Sequence, residues 1–425
     1  MPRFLFVMWE GGGTVPPELG VARRLLARGH QVHVLGDPTI EPGARQIGAS
    51  FTSWRDAPHV TSLRPEDALL RDWEYSNPLT LFRAARDTIL CGPTAAFARE
   101  TLAAIAEFRP HVVVPDMVLL GAQIAAEKAR LPCVVLVPNL YPIPSPGRPM
   151  LGSGLMPGAS PFGRLRDTLM RTVFTRLFDG GLPPVNAARA AFGLPPLAHT
   201  FEQNDRAARV LVLSSEAFDF PGPPFPPNVR FVGAQLDDPT WAAPWVSPFD
   251  AVDARPPILV GLSSTFQNQL PVLQRIADAL AAMPVRALIT TGPALAGQKL
   301  NAAGHVRVVE SAPHGQILPH ARVVISHCGH GTTLKALAQG VPLLCMPMGR
   351  DQADNAARVV WHGAGLRLKP TAPVAEIRTA LERLLTDGRL ADGARALAAR
   401  LRRDRERDGA IEELEWRVQE SMDCV

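Results

Sequence analysis

The chain has 425 residues, of which 46% are hydrophobic and 20% charged, a balance typical of folded globular proteins and not of disordered ones. The formal net charge is only +4, and acids alternate with arginines between Arg402 and Asp408, so a solvated helix face is favoured over a nucleic-acid surface. Such a length exceeds what one ordinary core requires and predicts two domains of about 200 residues each.

No run of residues approaches the roughly 18 uninterrupted apolar positions that a membrane helix needs, so membrane insertion is not expected. The five cysteines are scattered and include no CxxC pair, so neither a disulfide framework nor a zinc site is predicted. No carboxylate cluster has metal-ligand spacing, and no metal or other cofactor is expected. A reducing, cytoplasmic location is predicted.

Strands and helices alternate in the first half of the chain. The predicted strands are Phe4–Met8, Gln31–Leu35, His111–Val114, Cys133–Val137 and Val210–Leu213. The predicted helices are Pro17–Arg28, which stops at Gly29, and Leu119–Arg130. Continuous apolar strands joined by helices are typical of a parallel sheet that is covered on both faces.

The second half repeats this alternation. Its predicted strands are Ile258–Leu262, Val285–Thr290, Val306–Val309, Val323–Ser326, Leu343–Met346 and Gly365–Leu368, and its predicted helices include Leu270–Ala282 and Ala353–His362. Proline is too dense between Phe218 and Pro257 for a helix or a central strand, so this stretch is the candidate interdomain region. Trp241 and Trp245 are expected to pack it against a domain. The sequence predicts an α/β protein of two doubly wound domains that face each other across a cleft.

An irregular stretch rich in proline and glycine runs from Pro142 to Gly163 and carries several apolar residues, among them Met150, Leu151 and Phe162. Long loops without secondary structure are uncommon in compact domains unless they have a function. Two interpretations stay open: an ordinary surface loop, or a lid over a hydrophobic ligand.

A glycine-rich turn joins the predicted strand Val323–Ser326 to a helix that is predicted to begin at Leu334. The turn reads His327-Cys328-Gly329-His330-Gly331-Thr332-Thr333. Glycines let the backbone approach a ligand, the threonines offer hydroxyls and cap the helix, and a helix N-terminus attracts anions. His327 adds a hydrogen bond or a charge at the strand end. The pattern predicts a phosphate site.

Asp351 and Gln352 follow the next predicted strand. A carboxylate beside an amide suits the recognition of sugar hydroxyls, because aspartate accepts hydrogen bonds whereas glutamine both donates and accepts them. The alternative is an N-cap aspartate followed by a solvent-facing glutamine.

Two segments of this region, HCGHGTTLKAL and GVPLLCMPMGRDQADNA, resemble the donor-binding signature of the nucleotide-sugar-dependent glycosyltransferases. That family includes the UDP-glycosyltransferases of plants and animals and the bacterial natural-product transferases, and the sequence is most similar to the bacterial members. The resemblance implies the glycosyltransferase B fold. It divides the chain into an acceptor-binding Rossmann-like domain (1–225), a linker (226–250), a donor-binding Rossmann-like domain (251–405) and a C-terminal helix (406–425) that packs back on the first domain.

The resemblance also implies roles for particular residues. The diphosphate is expected on His327, Gly329, Gly331, Thr332 and Thr333, and on the loop of Ser263, Ser264 and Thr265. Ser311 and Ala312 fall where relatives hold the nucleobase, although the aromatic residue that relatives often have at Ser311 is missing here. Asp351 and Gln352 are expected to contact the donor sugar.

The family's catalytic base is typically a histidine in the loop after the first strand, oriented by an aspartate. That loop contains no histidine here, and Thr14 occupies the usual position. The orienting aspartate corresponds to Asp116. Three interpretations remain open: Asp116 is the base, directly or through a water; Glu10 is the base; or the acceptor needs little deprotonation. Asp116 is favoured, and Thr14 is expected only to hydrogen-bond the acceptor.

The predicted function is transfer of a sugar, with inversion and without a metal, from a UDP- or dTDP-sugar to a small hydrophobic natural-product acceptor. Neither nucleic acid nor a membrane is expected as a partner, and the protein is expected to be a monomer or a homodimer. Two alternatives remain. One is a nucleotide-sugar epimerase or hydrolase on the same fold, and the other is a non-catalytic donor-binding auxiliary protein, which the missing histidine supports.

Overall fold

The computed structural model describes residues 1–237, 246, 247, 249 and 253–423. Trp241, Trp245 and the centre of the predicted linker 226–250 lie outside these residues. Within the described part, parallel strands and helices form two α/β units. No helix in these ranges is both long and apolar enough to cross a membrane.

The first unit contains seven strands within the described residues. They are β1 (Arg3–Val7), β2 (Gln31–Gly36), β3 (Ser50–Ser53), β4 (Val112–Pro115), β5 (Val134–Val137), β6 (Arg209–Val212) and β7 (Val229–Phe231). Neighbouring strands are parallel, in the orders β3-β2-β1-β4 and β5-β6-β7. Single bridges, Val113 with Cys133 and Asp116 with Leu136, join β4 to β5, so the two groups continue one another.

The helices of the first unit connect these strands. They are α1 (Val15–Ala27), α2 (Glu41–Gln46), α3 (Pro78–Ala85), α4 (Thr94–Phe108), α5 (Leu120–Ala129), α6 (Pro161–Asp179), α7 (Leu182–Ala191) and α8 (Glu202–Asp205). Prolines stand in the first turn of α1, where a missing N–H costs no helical hydrogen bond. The helix stops before Gly29, whose φ of +84° is left-handed and ends the helical path.

The second unit has six strands in the part of the chain that is described: β8 (Pro257–Gly261), β9 (Arg286–Thr290), β10 (Val306–Val309), β11 (Val323–Ser326), β12 (Leu343–Cys345) and β13 (Gly365–Arg367). They are parallel in the order β10-β9-β8-β11-β12-β13, the strand order of a Rossmann sheet. Its helices are α9 (Leu270–Ala281), α10 (His314–Ile317), α11 (His330–Ala338), α12 (Gln352–Trp361), α13 (Val374–Thr386), α14 (Gly388–Asp404) and α15 (Gly409–Asp423).

The central strands of each sheet are buried on both faces because their residues are apolar on both faces. In β1, Phe4 and Phe6 enter one buried cluster, and Leu5 and Val7 enter another. Successive side chains of a strand point to opposite faces, so such a strand needs a core on each side. The second sheet follows the same rule.

The last helix, α15, packs on the first unit. Its buried residues are Ala410, Ile411, Leu414 and Val418, which join the cluster of β1 and α1. Burial of each large aliphatic side chain stabilises the folded state by about 1.5–3 kcal/mol. The helix therefore ties the end of the chain to the unit that contains its beginning.

β7 lies inside the Pro-rich stretch at the edge of its sheet, beside β6; this agrees with the prediction, which excluded a helix or a central strand there. Two local expectations differ from the structure. Helix α11 begins at His330 and not at Leu334, so the threonines at 332 and 333 lie in its first turn and do not cap it. Helix α6 begins at Pro161, because the Ser160 hydroxyl accepts a hydrogen bond from the N–H of Gly163 (3.1 Å) and caps it.

Candidate functional site

The candidate donor residues all follow strands of the second sheet, at its carboxyl edge. Ser263, Ser264 and Thr265 follow β8, Ser311 and Ala312 follow β10, residues 327–333 follow β11, and Asp351 and Gln352 follow β12. β8 and β11 are neighbours at the point where the strand order reverses. The crevice at such a reversal point is the usual ligand position in a doubly wound sheet.

The turn after β11 presents backbone donors. Cys328 is buried with a left-handed φ of +66°, and Gly329 is the N-cap of α11. The N–H of Thr333 donates to the carbonyl of Gly329 (3.1 Å), so the N–H groups of residues 330–332 have no acceptor within the helix. A Cβ added at Gly331 would meet no atom within 4 Å. The start of α11 is therefore open and suited to an anion.

His327 stands beside this turn as a neutral ring. Burial, with a contribution from the positive charge of Arg350, lowers the pKa of its imidazole from 6.5 to about 4. At neutral pH the ring therefore offers a hydrogen bond and not a charge. Its buried Nδ1 has no partner among the described residues. A Cβ at Gly329 would lie 2.6 Å from Nε2 of His327, which explains the glycine at that position.

Thr265 connects the two units. Its hydroxyl accepts a hydrogen bond from Arg350 (2.7 Å) and lies 3.1 Å from the hydroxyl of Ser263. Arg350 also donates to Asp72 of the first unit, at 2.6 Å. The methyl group of Thr265 lies against Gly12, where an added Cβ would be only 2.6 Å away. The glycine-rich loop after β1 therefore touches the loop after β8.

Asp351 and Gln352 begin α12. Asp351 occupies the N-cap position without a side-chain cap bond; its Oδ2 accepts from Asn355 (2.9 Å), and burial raises the pKa of its carboxyl to about 6. Gln352 accepts from the backbone N–H of Met348 (2.7 Å) and donates to Gln267 (2.8 Å). The solvent-facing alternative for Gln352 is wrong, since the side chain is buried and braces the preceding loop.

Asn355 is a bracing residue that the sequence prediction missed. It is fully buried, and its Nδ2 donates to the carbonyl of Cys328 (3.0 Å) as well as to Asp351. Its Oδ1 lies 3.1 Å from Nδ1 of His330. The signal was an amide four residues after Asp351, one helical turn along the same face. Asn355 therefore fixes the position of Asp351 relative to residues 327–333, the candidate phosphate-binding turn (the phosphate turn).

Ser311 and Ala312 lie in the loop between β10 and α10. Ala312 is buried and Ser311 half-buried. His314, two residues further on, lies with Nε2 3.1 Å from the hydroxyl of Thr290 at the end of β9. This contact fixes the loop to the same sheet edge as the phosphate turn, two strands from β8.

The first sheet has its own reversal point, between β1 and β4. Glu10 and Thr14 lie in the loop after β1, and Asp116 directly follows β4. The carboxyl of Glu10 accepts from the N–H of Gly12 (2.8 Å) and the hydroxyl of Thr39 (3.0 Å). Removal from water raises its pKa to about 7. Glu10 is thus turned toward the residues that follow β2.

Asp116 is almost fully buried, with 1% of its surface exposed. Its Oδ1 accepts from the backbone N–H of Val118 (2.9 Å), and the carboxyl also faces the side chains of Glu18 and Trp9. Burial raises the pKa of the carboxyl to about 6. A carboxylate with that pKa is suited to accept a proton near neutral pH.

Glu18 of α1 is a second residue that the sequence prediction missed. Its side chain is 0% exposed, and neither of its carboxyl oxygens has a partner among the residues described. Burial and the negative charge of Asp116 raise its pKa well above the ordinary value. The available signal was an acid at the Thr14 + 4 position, on the face of α1 that also buries Ala22.

Similarity to known proteins identifies the family. Residues 274–413 match the C-terminal domain of the erythromycin biosynthesis protein CIII-like family. The 4'-demethylrebeccamycin synthase of Lentzea aerocolonigenes is 30% identical over 407 residues, which cover 94% of each chain. The chain belongs to the natural-product glycosyltransferase family. The predicted family and enzyme class are confirmed.

Other glycosyltransferases are similar along nearly the whole chain. The demethyllactenocin mycarosyltransferase of Streptomyces fradiae is 25% identical over 412 residues, 95% of this chain and 84% of that protein. The solved glycosyltransferase of kitacinnamycin has a TM-score of 0.73 at 22% identity, over 98% of both chains. A spinosyn rhamnosyltransferase solved with thymidine diphosphate has a TM-score of 0.70 at 18% identity, over 98% of this chain and 100% of that one. These likenesses confirm the predicted glycosyltransferase B fold.

Proposed function

We propose that this glycosyltransferase moves a hexosyl group from a UDP- or dTDP-sugar to a small hydrophobic natural-product acceptor, with inversion and without a metal. The observation that carries the proposal is the contact of Gly12 with Thr265, because it brings the reversal points of the two sheets together. A donor held at one reversal point then meets an acceptor held at the other. The thymidine diphosphate in the spinosyn relative supports a nucleoside diphosphate as the leaving group.

The second unit handles the leaving group. The acceptor oxygen attacks the anomeric carbon, the bond from that carbon to the diphosphate breaks, and the nucleoside diphosphate leaves with the electron pair. We expect the N–H groups at the start of α11 and the neutral ring of His327 to donate to that growing negative charge. Ser263 and Thr265 add hydroxyls beside it. Such fixed donors usually supply the largest part of catalysis.

The first unit offers apolar surface for the acceptor. Phe162, Leu165 and Leu169 are exposed at helical spacing along one face of α6, and Leu79 of α3 is also exposed. Apolar side chains grouped on a surface mark a place where an apolar molecule or partner binds. This stripe supports a hydrophobic acceptor.

The Pro142–Gly163 stretch is tied to the second unit. The N–H groups of Gly152 and Gly154 donate to the carboxylate of Asp354 (2.6 and 3.0 Å), and Arg367 donates to the carbonyl of Gly154 (2.7 Å). The tether holds the stretch against α12, the helix that Asp351 precedes at the N-cap position. We therefore favour a lid over an ordinary surface loop.

We place the reaction in the cytoplasm. Cys91, Cys133, Cys328 and Cys345 are buried and free, which fits a reducing compartment. We treat the protein as a monomer or homodimer, which light scattering of the purified chain will distinguish.

In the described ranges, no group of three or more His, Cys, Asp or Glu residues is placed to hold a metal ion.

The test is product formation from UDP- and dTDP-hexoses with a panel of aromatic and macrocyclic aglycones, with and without a chelator. A glycoside whose anomeric configuration is opposite to that of the donor, formed at the same rate with the chelator, is the expected result. Donor-only reactions provide the control for the two alternatives. Sugar release or isomerisation without an acceptor would indicate a hydrolase or epimerase, and nucleotide binding without transfer would indicate an auxiliary protein.

His327→Ala tests the leaving-group site, with His320→Ala as the control because His320 is an exposed histidine of the same unit. Loss of one preorganised donor costs about 10²-fold in kcat in comparable sites. His327→Ala is expected to show a loss of that order, and His320→Ala none. Equal rates in both variants would remove His327 from the mechanism.

A further inference from the structure

Four buried polar groups converge at the reversal point of the first sheet, and none has a partner outside the cluster among the described residues. They are the indole N–H of Trp9, the hydroxyl of Thr14, both oxygens of Glu18 and Oδ2 of Asp116. Within the cluster, the indole and a protonated Glu18 can donate to Asp116. Buried polar groups in folded proteins nearly always have partners. The hydroxyl of Thr14 and the second oxygen of Glu18 remain unsatisfied, which points to a polar group of a ligand.

The geometry of α1 explains why Glu18 reaches this cluster. Side chains of a helix lean toward its N-terminus, so the carboxyl of Glu18 extends over the turn that starts at Thr14, four residues earlier. Thr14 and Trp9 meet beside Gly11, where an added Cβ would lie 2.8 Å from the threonine hydroxyl and 3.0 Å from the indole ring. The carboxyl thus enters the region where the family places its histidine.

Glu18 and Asp116 act on each other's ionisation. The negative charge of Asp116 raises the pKa of Glu18, and the protonated carboxyl of Glu18 lowers the pKa of Asp116 against the larger effect of burial. Two adjacent carboxyls that are shielded from water share one proton, because ionising both would cost a large free energy of repulsion and desolvation. The shared proton therefore lies on Glu18, because burial and the charge of Asp116 raise the pKa of Glu18 well above its ordinary value.

Other charged groups around α1 are engaged elsewhere. Arg28 and His30 pair with Glu415 of α15, Arg24 pairs with Asp237 and Asp408, and Glu10 bonds Gly12 and Thr39. The charged residues of α15 that meet the first unit are also paired: Glu415 with Arg28 and His30, and Glu413 with Arg209. Burial and the partner carboxyl are therefore what set the charge state of Glu18.

We propose that Glu18 and Asp116 form a one-proton carboxyl pair that replaces the absent histidine in activating the acceptor. Asp116 is the catalytic base, and Glu18 is a positioning residue that donates its proton to Asp116 in a hydrogen bond. The proposal deepens the proposed function and rests on it. The acceptor O–H gives its proton to Asp116 as the oxygen bonds to the anomeric carbon and the diphosphate leaves. The proton passes from Asp116 to solvent after the product departs.

Single-turnover transfer separates the two roles. Asp116→Asn is expected to lower the rate by about 10²–10⁴-fold with nucleotide affinity unchanged, the range for loss of a general base. Glu18→Gln keeps a donor of the same shape and is expected to retain the rate within about tenfold, as loss of less than about 1.4 kcal/mol implies. Glu107→Gln, an exposed acid of α4, is the control and is expected to match the parent.

The pH profile distinguishes positioning from simple packing. Glu18→Leu removes the donor to Asp116, so the acid limb of kcat/KM is expected to move to higher pH, while Glu18→Gln keeps it in place. An unmoved limb in a folded, active Glu18→Leu variant would overturn the pair. A loss in Glu18→Gln as large as that of Asp116→Asn would also overturn it, by making Glu18 the base.

One readout is independent of transfer. Infrared difference spectra of the parent against Glu18→Gln at pH 7 are expected to show the carbonyl band of one protonated carboxyl in the parent. Absence of that band would refute the shared proton even if the protein transfers sugar. If the band is present and no acceptor is glycosylated, the pair stands and the proposed function fails.

Discussion

Replacing Asp116 by asparagine is expected to make the protein more stable at neutral pH even though it slows transfer. The carboxyl is fully desolvated, and its pKa is raised from 3.8 to about 6 in the folded protein. Below pH 3.8 the group is protonated in both the folded and unfolded states. Between pH 3.8 and about 6 the folded state binds more protons than the unfolded state, so the free energy of unfolding falls as pH rises through that window.

The size of the effect follows from the shift of the pKa. About two pKa units at about 1.36 kcal/mol each give a loss of about 3 kcal/mol at pH 7. Asparagine can still accept the hydrogen bond from Val118 and never ionises. It escapes the loss, and for a domain of about 200 residues the gain in Tm is about 6–12 °C. Glu18 acts in the same direction, because removal of its charged neighbour eases its own ionisation.

Thermal unfolding of the parent and of Asp116→Asn between pH 4 and pH 8 measures this difference. Asp56→Asn is the control, since Asp56 is an exposed acid of the same unit. The gain of Asp116→Asn is expected to be near zero at pH 4 and to grow toward pH 7. A gain that is independent of pH, or one that shrinks as pH rises, would refute the reasoning.

Two further predictions concern the phosphate turn and the last helix. Gly329→Ala displaces the ring of His327 and is expected to raise the Kd for nucleoside diphosphate about 2–10-fold, from a side-chain strain of about 0.5–1.5 kcal/mol. The methyl group added by Gly331→Ala meets no protein atom, so Tm should not fall. The methyl group would occupy the space where a phosphate is expected to approach the backbone, so calorimetry should find weaker nucleotide binding. Unchanged binding would mean that no phosphate approaches that backbone. Leu414→Ala is expected to cost about 2–5 kcal/mol. The exposed control Gln419→Ala should change little, and equal Tm values for the two would contradict the packing of α15.

The elements that the sequence predicts well are the parallel strands. Val323–Ser326, which is buried throughout, and the edge strand Val306–Val309 have the same bounds in the prediction and in the structure. A short run of β-branched residues between helical segments is typical of a strand of a parallel sheet. Helix α6 received no prediction. It exposes Phe162, Leu165 and Leu169 to solvent, so its pattern is inverted relative to that of an ordinary surface helix.

The start of α11 was misplaced for a different reason. Glycine and histidine are poor indicators of a helix, and the sequence 329–333 reads as a loop. The helix nevertheless begins at His330, because Cys328 has a left-handed backbone conformation that turns the chain and Gly329 occupies the N-cap position. The consequence is functional: the threonines that were expected to cap the helix lie in its first turn, beside the open N–H groups.

Glu18 shows where sequence reasoning fails at a site. An acid in the first turn of a helix is ordinarily stabilised by the macrodipole and faces solvent. Only the folded structure, in which α1 packs against β2 and α15, shows that this acid is enclosed with Asp116. The sequence alone shows that the loop lacks a histidine. It does not show that Glu18, one helical turn after Thr14, lies in the same buried region.

The two sheets share one strand order around their reversal points, 3-2-1-4, and each point holds half of the proposed chemistry. The second unit provides donors for a leaving anion, and the first provides a base for the acceptor proton. Because the two reversal points touch through a loop contact, Gly12 with Thr265, the contributions of the two sites should be separable. Variants of the carboxyl pair should alter the pH profile and leave nucleotide affinity intact, whereas variants of the turn should do the reverse. A change in Asp116 that weakened nucleotide binding as much as it slowed transfer would show that the division between the units is wrong.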